Sequence, residues 1–272
     1  MPATFRPAPA AKPTRSRCLT ACRSFALVAL STLLIFCGQP RTQTAPEPLL
    51  IAAASNLSGV IEQIGKGFTQ QTGVAVKFNF GATAQLAQQL EHGAEFDLFA
   101  AADVAHVDQL VQSGALLAPS RAIYARGKVA LWVPPGSRGE IKQLSDLSGR
   151  AVRFIAIANP ETAPYGATAE QLLRAEKLWD ALQPKLVRAE NVTAAKQMAS
   201  TGNADAAFTA YSLVFREPGT LVPLDAAKLP PIDQALGIPT RARRPDDARR
   251  FAEYILHGPG RDSLRAAGYD LP

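Results

Sequence analysis

Small hydroxyl and amide residues stand where apolar strand patterns give way to helical ones in this sequence. Ser55 and Asn56 directly follow the apolar run LLIAAA (49–54), and Thr83 follows the strand pattern VAVKFNF (74–80). A helix N-terminus presents unpaired N–H groups and the positive end of the helix dipole. Joints of this kind that converge at one edge of a sheet would bind an anion with neutral donors alone.

Two later joints have the same form. The stretch NPETAPYG (159–166) carries Tyr165 and leads into a helical pattern, and Asn191 and Val192 stand between a short strand pattern and the next helix. Two prolines fix the backbone of the first stretch. It is therefore either a rigid turn or a lid whose backbone N–H groups face a ligand.

Each joint also has a plain structural alternative. Ser, Thr and Asn are the preferred N-caps of helices, and many such residues only cap. The neighbouring runs AAAS and GATA contain no side chain large enough to fill the space beside them, which favours close approach by something else. Capping and anion binding both stay open for any one joint, and the recurrence of four joints favours binding.

Recognisable catalytic motifs are missing from the chain. It contains no GxSxG, no GxxxxGK[ST] and no GxGxxG pattern. Asp97 and Asp103 share a face of a predicted strand (96–103) but would lie roughly 20 Å apart, too far for joint acid–base work. We therefore expect structural roles for both carboxylates, no enzymatic activity, no cofactor and no metal coordinated by side chains. The three histidines have no metal-ligand spacing and are expected at the surface: His92, His106 and His257.

The net charge of +6 comes from one end of the chain. Residues 1–46 hold six basic and no acidic residues, so 23 basic residues remain against 23 acidic ones in the rest. A nucleic-acid-binding protein would keep a basic face in its folded part, so no nucleic-acid partner is expected. The arginines between 241 and 250 alternate with acidic residues, which is typical of a solvated helix start.

An export signal is predicted at residues 1–44. Basic residues precede the apolar run FALVALSTLLIF (25–36), which has the length of a signal-peptide core and is too short to span a bilayer. The small residues TQTA (42–45) suggest the cleavage site, and an uncleaved membrane tether is the alternative. A cleaved protein would have no disulfide, thiolate metal site or cysteine nucleophile, because all three cysteines precede the cut: Cys18, Cys22 and Cys37.

Strand and helix patterns alternate from Leu49 to the last predicted helix (246–258). Helical spacing of apolar residues runs through 57–72 and 166–182, and strands are predicted at 128–134 and 151–160, among others. Alternation of this kind predicts an α/β protein with parallel sheets and helices on both faces. No linker divides the chain, so two lobes would require it to cross between them twice.

At this point the sequence resembles the periplasmic molybdate-binding proteins of ABC transporters, within the type II substrate-binding fold. The matching stretches keep the family order from about Leu49 to Tyr269. DLFAAAD and ANPETAPYG together are the more specific of them. The stretches are AAASN (52–56), FGATAQLAQQLEHGAEFDLFAAAD (80–103), AIANPETAPYGATAEQLL (156–173), ENV (190–192), GNADAAF (202–208) and AAGY (266–269).

The resemblance implies a two-lobe periplasmic binding protein fold, in which each lobe is a mostly parallel sheet flanked by helices and two crossover strands join them. The lobes would be 49–127 with 233–272, and 128–232. An oxyanion would lie in the cleft, held by uncharged hydroxyl, amide and backbone donors. The implied ligand residues are Ser55, Asn56 and Thr83, the N–H groups of Tyr165 and Val192, and with less support the N–H group of Ala102.

The function implied is capture of molybdate, and of tungstate too, for uptake by an ABC permease. The protein would be periplasmic and monomeric. GATA replaces the serine-rich loop of the family, which leaves the anion open. The alternatives are a binding protein for sulfate, phosphate or an organic acid, an enzyme acting in the cleft, and a sensory module, against which the absence of any further domain counts.

Overall fold

The structure is a computed structural model that describes residues 47–272. The predicted signal peptide and its three cysteines lie outside the described residues. The described part forms ten strands and nine α-helices. The strands are β1 (Leu49–Ala54), β2 (Val76–Gly81), β3 (Leu98–Ala100), β4 (Ala122–Gly127), β5 (Val129–Val133), β6 (Ile155–Ala158), β7 (Leu186–Ala189), β8 (Ala206–Ala210), β9 (Thr220–Val222) and β10 (Ile232–Gly237). The helices are α1 (Val60–Thr72), α2 (Thr83–Glu91), α3 (Ala105–Gln112), α4 (Pro164–Ala175), α5 (Trp179–Leu182), α6 (Val192–Ser200), α7 (Tyr211–Val214), α8 (Pro245–Leu256) and α9 (Pro259–Ala266).

The strands form two five-stranded sheets with the same pattern of directions. The first sheet has the order β2-β1-β3-β10-β4, and the second has the order β7-β6-β8-β5-β9. In the first sheet β10 runs antiparallel to both neighbours, and in the second β5 does so. The remaining strands of each sheet run in one direction, so the prediction of two mostly parallel sheets flanked by helices is confirmed.

The chain passes between the sheets twice. It leaves the first sheet at the end of β4, crosses at Lys128 and enters the second sheet in β5. It returns between β9 and β10, so that the C-terminal helices α8 and α9 pack on α1 of the first sheet. In both sheets, parallel strands lead at their carboxyl ends through loops into helices.

The first helix begins later than its apolar spacing predicts. Residues Ser55–Leu57 form a 3₁₀ turn directly after β1, and Gly59 follows with a φ of 84°. This left-handed backbone, which glycine adopts at little cost, delays the start of α1 to Val60. The predicted apolar face of α1 is buried as expected, at Val60, Ile61, Ile64 and Phe68.

Two other predicted elements have different boundaries in the structure, because turns interrupt them. The predicted helix over 166–182 begins at Pro164 and divides into α4 and α5, because Lys177 adopts a φ of 58° between them. The predicted strand over 96–103 shortens to β3, and Asp103 instead accepts a hydrogen bond from the backbone N–H of His106 at 2.9 Å at the start of α3. Sequence patterns missed β4, β9, β10, α7 and α9.

The structural roles predicted for charged residues are confirmed. Asp97 is buried and accepts hydrogen bonds from the backbone N–H groups of Leu50 and Arg244, at 2.8 and 2.9 Å. The arginine cluster surrounds the start of α8, where Arg244 and Arg250 both pair with Asp247. His106 pairs with Asp103 at 2.8 Å, and this hydrogen bond raises the pKa of the imidazole.

Candidate functional site

The joint after β1 carries two buried polar side chains that do not cap a helix. Ser55 is 4% exposed and Asn56 is 1% exposed. No side chain makes a capping hydrogen bond at this 3₁₀ turn or at the start of α1. Their burial is therefore not explained by the plain structural alternative.

Thr83 is the first residue of α2 and is fully buried. Its side chain does not cap the helix either. Its Oγ1 atom accepts a hydrogen bond of 3.1 Å from the backbone N–H of Ala102, which lies just after β3. A hydroxyl that accepts one bond still has its own proton to donate. The same contact occupies the N–H group of Ala102, a predicted ligand donor.

The two joints of the second sheet are built differently. Tyr165 is the second residue of α4, after Pro164, and Val192 is the first residue of α6. N–H groups in the first turn of a helix have no acceptor inside the helix. At α6 the cap comes from Asn191, whose Oδ1 atom accepts from the N–H of Ala194 at 3.0 Å. The capping alternative therefore describes Asn191.

Contacts between the sheets bring these joints together. The hydroxyl of Thr193, next to Val192, donates to the carbonyl of Ser55 at 2.9 Å. The N–H of Ala84, next to Thr83, donates to the carbonyl of Thr162 in the loop before Tyr165 at 3.1 Å. Small residues of the first-sheet joints pack in one apolar cluster with residues of the second sheet. That cluster includes Ala54, Ala82, Ala102, Tyr165 and Val192.

The gathered residues are shut off from solvent. All six predicted site residues are buried, and none is more than 4% exposed. The cavity beside them, of about 650 Å³, lies outside the cluster and is lined by Ser58, Thr193 and Ser212 among others. Two buried polar atoms at these joints have no hydrogen-bond partner within the described residues, namely Asn56 Oδ1 and Thr162 Oγ1.

A hydrogen-bond network that sequence reasoning missed surrounds Asn56. The Asn56 Nδ2 atom donates to Gln234 Oε1 at 2.9 Å and to the hydroxyl of Tyr269 at 3.0 Å. The Tyr269 hydroxyl donates to the carbonyl of Asn56 at 2.7 Å. The Ser212 hydroxyl lies 3.0 Å from the Tyr269 hydroxyl. Gln234 further contacts the hydroxyls of two tyrosines at 2.8 Å, Tyr124 and Tyr165.

The network joins both sheets and is neutral. Tyr165 and Ser212 belong to helices of the second sheet, while Asn56, Tyr124 and Gln234 belong to the first. Burial raises the pKa of Tyr269 to about 12 and raises the pKa values of Tyr124 and Tyr165 well above their ordinary value. These phenols therefore stay protonated at neutral pH and act as hydrogen-bond donors.

Sequence patterns did not reveal this network, because its members lie far apart along the chain. Gln234 lies 178 residues from Asn56, and Tyr269 lies 213 residues from it. The stretch AAGY, which contains Tyr269, was a recognisable signal, whereas Gln234 lies in β10, a strand that the patterns missed. Taken together, the arrangement presents hydroxyl, amide and backbone donors without a charged side chain, and can hold an oxyanion by hydrogen bonds alone.

Within the described residues two further features are lacking. No helix there combines the length and apolar character required to cross a membrane. No group of three His, Cys, Asp or Glu side chains in residues 47–272 is placed to hold a metal ion.

Comparison with known proteins gives matches over most of the chain. The family model of bacterial extracellular solute-binding proteins matches residues 49–270. The molybdate-binding protein ModA of Azotobacter vinelandii is 33% identical over 90% of this chain and 96% of its own length. The molybdate-binding protein ModA of Rhodobacter capsulatus is 31% identical over 81% of this chain and 87% of its own.

A solved structure agrees with these relatives. The periplasmic molybdate-binding protein of Azotobacter vinelandii superimposes with a TM-score of 0.77 at 32% identity. The match covers 82% of this chain and 99% of that one. The two-sheet architecture is thus that of a type II periplasmic binding protein.

Proposed function

The chain belongs to the family of bacterial extracellular solute-binding proteins, and we propose that it captures molybdate between its two sheets for an ABC permease. The relatives that are more than 30% identical are molybdate-binding proteins and cover most of the chain. Tungstate, a tetrahedral dianion of similar size, is proposed as a second ligand. Export across the inner membrane, directed by residues 1–44, would place the protein in the periplasm, where we expect a monomer.

The observation that carries the proposal is the meeting of uncharged polar joints from both sheets in one buried cluster. A dianion taken out of water is costly unless each oxygen finds a donor. Hydrogen bonds to a charged group are shorter and stronger than neutral ones, and helix N-termini add their dipoles. A fixed shell of neutral donors selects an anion by size, whereas a flexible lysine would pair with many anions.

We assign the donors as follows. Ser55, Asn56 and Thr83 donate from their side chains, and Tyr165 and Val192 donate through backbone N–H groups. Ala102 takes a different role from the one that the sequence suggested. Its N–H bonds to Thr83 Oγ1 at 3.1 Å, which leaves the Thr83 proton directed elsewhere. Ala102 therefore positions Thr83 and is left out of the donor shell.

The two sheets with their helices are proposed as lobes that open to admit the ligand, 49–127 with 233–272 and 128–232. The hinges would be the crossings near Lys128 and Asp233. Ion pairs lie at both places, between Lys128 and Asp270 at 2.7 Å and between Arg126 and Asp233 at 2.6 Å. The four side chains are 32–58% exposed to solvent, so these pairs contribute little to stability and leave the hinge free to bend.

Opening has a direct test. If neither lobe satisfies the dianion alone, ligand binding and closure are coupled. Small-angle scattering should then give a smaller radius of gyration with molybdate than without it. Equal radii, with binding confirmed in the same sample, would contradict the hinges and leave a permanently closed site.

The ligand is tested by thermal unfolding and calorimetry of the cleaved protein with molybdate, tungstate, sulfate and phosphate. A ligand present at about 100 times its dissociation constant should stabilise the protein by roughly 2.7 kcal/mol. We expect molybdate and tungstate to stabilise it at micromolar concentrations and sulfate and phosphate to act far more weakly. Equal stabilisation by sulfate would overturn the molybdate assignment and favour a binding protein for another anion.

A further inference from the structure

Two buried carboxamides face each other at the centre of the network. Asn56 and Gln234 are 1% and 0% exposed, and the Asn56 Nδ2 atom lies 2.9 Å from Gln234 Oε1. In this arrangement both hydrogens of the Asn56 amide are used, because Nδ2 also donates to Tyr269. Asn56 then has no side-chain donor left for a ligand.

The same arrangement leaves two hydrogen-bonding mismatches. The Asn56 Oδ1 atom is buried and has no partner among the described residues. The Tyr124 hydroxyl has one proton but faces two acceptors, the carbonyl of Ala101 and Gln234 Oε1, each at 2.8 Å. Buried polar atoms are rarely left unpaired, so both mismatches require a cause.

Turning both carboxamides by 180° gives Asn56 Oδ1 a donor and leaves the Tyr124 hydroxyl with a single acceptor. The Tyr269 hydroxyl then faces the turned Asn56 Oδ1 at 3.0 Å and the Asn56 carbonyl at 2.7 Å with one proton, and the Ser212 hydroxyl, 3.1 Å from that carbonyl, supplies the second donor. The oxygen and nitrogen of a carboxamide have nearly the same shape, so the two orientations fit the same space and the hydrogen bonds decide between them. Gln234 Nε2 then donates to Asn56 Oδ1 and to the Tyr124 hydroxyl, while Tyr124 donates to Ala101. The Tyr165 hydroxyl donates to Gln234 Oε1. The Asn56 NH₂ group takes the place of the unpaired oxygen, where an oxygen of the ligand has to accept its hydrogen bonds.

We propose that Gln234 is a positioning residue that holds the Asn56 carboxamide with its NH₂ group toward the bound oxyanion. This inference rests on the proposed function, since it needs an anion at that side of Asn56. It assigns a ligand-orienting role to a residue that donates nothing to the ligand itself.

The backbone around Gln234 is shaped for this role. The pairing of β10 with β4 shifts register between Gln234 and Ala235, and Tyr124 is the extra residue on the opposite strand. Such bulges redirect side chains beside functional sites. Gly127 adds room, because a Cβ there would clash with both the Tyr165 hydroxyl and Gln234 Nε2.

Tyr165 makes the orientation depend on closure. It is the member of the network that reaches Gln234 from the second sheet, at 2.8 Å. In the closed protein its hydroxyl proton needs an acceptor, which selects the orientation with Gln234 Oε1 toward Tyr165. The Asn56 donor is therefore presented when the sheets come together.

A double-mutant cycle on molybdate affinity tests the role. Gln234→Met keeps the length of the side chain and removes its hydrogen bonds, and Asn56→Ala removes the group that Gln234 is proposed to orient. We expect Gln234→Met to weaken binding about fivefold to fiftyfold in the wild-type background and less than about twofold in the Asn56→Ala background, because coupled residues are not additive. Calorimetry gives the dissociation constants, and unfolding without ligand checks the fold.

Tyr165→Phe serves as the second variant if Gln234→Met does not fold. It keeps the backbone N–H and the ring, and its smaller loss of affinity should also vanish in the Asn56→Ala background. Equal losses in both backgrounds, or no loss in either, would overturn the positioning role. A wild-type protein that fails to bind molybdate would instead overturn the proposed function, so the two failures are distinguishable.

Discussion

Asn56 and Asn191 occupy similar places in the two halves of the fold, each after a strand and before a helical turn. Asn191 caps α6 through Oδ1 and is only partly buried. Asn56 is buried, caps nothing and contacts Gln234 and Tyr269, which are distant in sequence. The same residue type therefore serves local helix geometry in the second half and a long-range network in the first.

This difference extends to the proposed donor shell. The first-sheet joints offer side-chain groups that the helices do not need for capping, whereas the second-sheet joints offer backbone N–H groups. At α6 the helix also has its own cap, Asn191. A side-chain donor can be deleted without harm to a helix, and a backbone donor can be removed only by proline. The two halves should thus respond oppositely to substitutions that look alike in the sequence.

Asn56→Asp should cause the largest loss of molybdate affinity. It places a carboxylate beside the proposed dianion, and a buried charge without a partner costs about 3 to 5 kcal/mol. Molybdate affinity should fall at least a hundredfold in calorimetry. Asn56→Ala is the matched neutral control, and equal losses in the two variants would show that no anion lies near this side chain.

Val192→Pro should remove one backbone donor of the second half. Proline is tolerated at the first helical position, and Asn191 already has the extended backbone, with φ of −154° and ψ of 177°, that a residue before proline requires. We expect a loss of about 1.5 to 3 kcal/mol in binding, the value of a hydrogen bond to a charged group. Val192→Ala keeps the N–H and is the control. Similar affinities of the two variants would remove Val192 from the donor shell.

Alkaline pH should destabilise the network of the first half. The folded pKa of Tyr269 is raised from 10.0 to about 12, so its contribution is complete below pH 10 and is lost as the pH rises toward 12. At 1.36 kcal/mol per pKa unit, Tyr269 alone should lower the free energy of unfolding by about 2 to 3 kcal/mol across this range. Tyr124 and Tyr165, whose pKa values are also raised, should add to the fall. Denaturant unfolding at several pH values measures it. The free energy of unfolding of the Tyr269→Phe variant should fall less steeply with pH. An unchanged slope would contradict the assignment.

Ser55→Ala and Thr83→Ala should each weaken molybdate binding by roughly tenfold. Each removes one hydrogen bond to a charged ligand, and a water molecule entering the vacated space offsets part of the loss. Stability without ligand should change by less than about 0.5 kcal/mol for Ser55→Ala, because its hydroxyl caps no helix. It should fall by about 1 to 3 kcal/mol for Thr83→Ala, because the buried N–H of Ala102 loses its acceptor. A large drop in ligand-free stability with unchanged affinity would return both residues to structural roles.

Asn191→Ala should have the smallest effect on molybdate affinity, and it should lower folding stability instead. Loss of an N-cap costs about 1 kcal/mol of folding stability. The dissociation constant for molybdate should stay within about threefold, because the cap accepts from Ala194 and leaves the Val192 N–H untouched. Unfolding and calorimetry on the same sample measure both quantities, and a tenfold loss of affinity would mean that the cap shapes the site.

Local patterns predicted the parts of the fold that depend on local sequence. Helices with apolar spacing, such as α1 and α6, and buried strands such as β1 were visible in the sequence. The strand β10 was not, because Asp233 and Gln234 interrupt its apolar run, and Gln234 is buried only through partners far along the chain. The short helix α9 has only Gly260 and Leu264 buried, which gave no apolar stripe to detect.

The candidate site divides in the same way. Ser55, Asn56, Thr83, Tyr165 and Val192 stand at strand-to-helix joints, which are readable one by one. The contact between Thr83 and Ala102 and the orientation of Asn56 depend on three-dimensional neighbours. A sequence therefore indicates which residues stand at the joints, and the fold decides which of their atoms remain free.

The neutrality of the network has a consequence for kinetics. Charged clefts attract their ligands over a distance and lose that advantage as salt screens them. With no charge among the proposed donors and balanced charges in the chain after residue 46, capture of the anion would be unsteered. Its association rate should change little between low and physiological ionic strength. The time that the lobes spend apart, and not the salt content of the surrounding medium, would then set the pace of uptake.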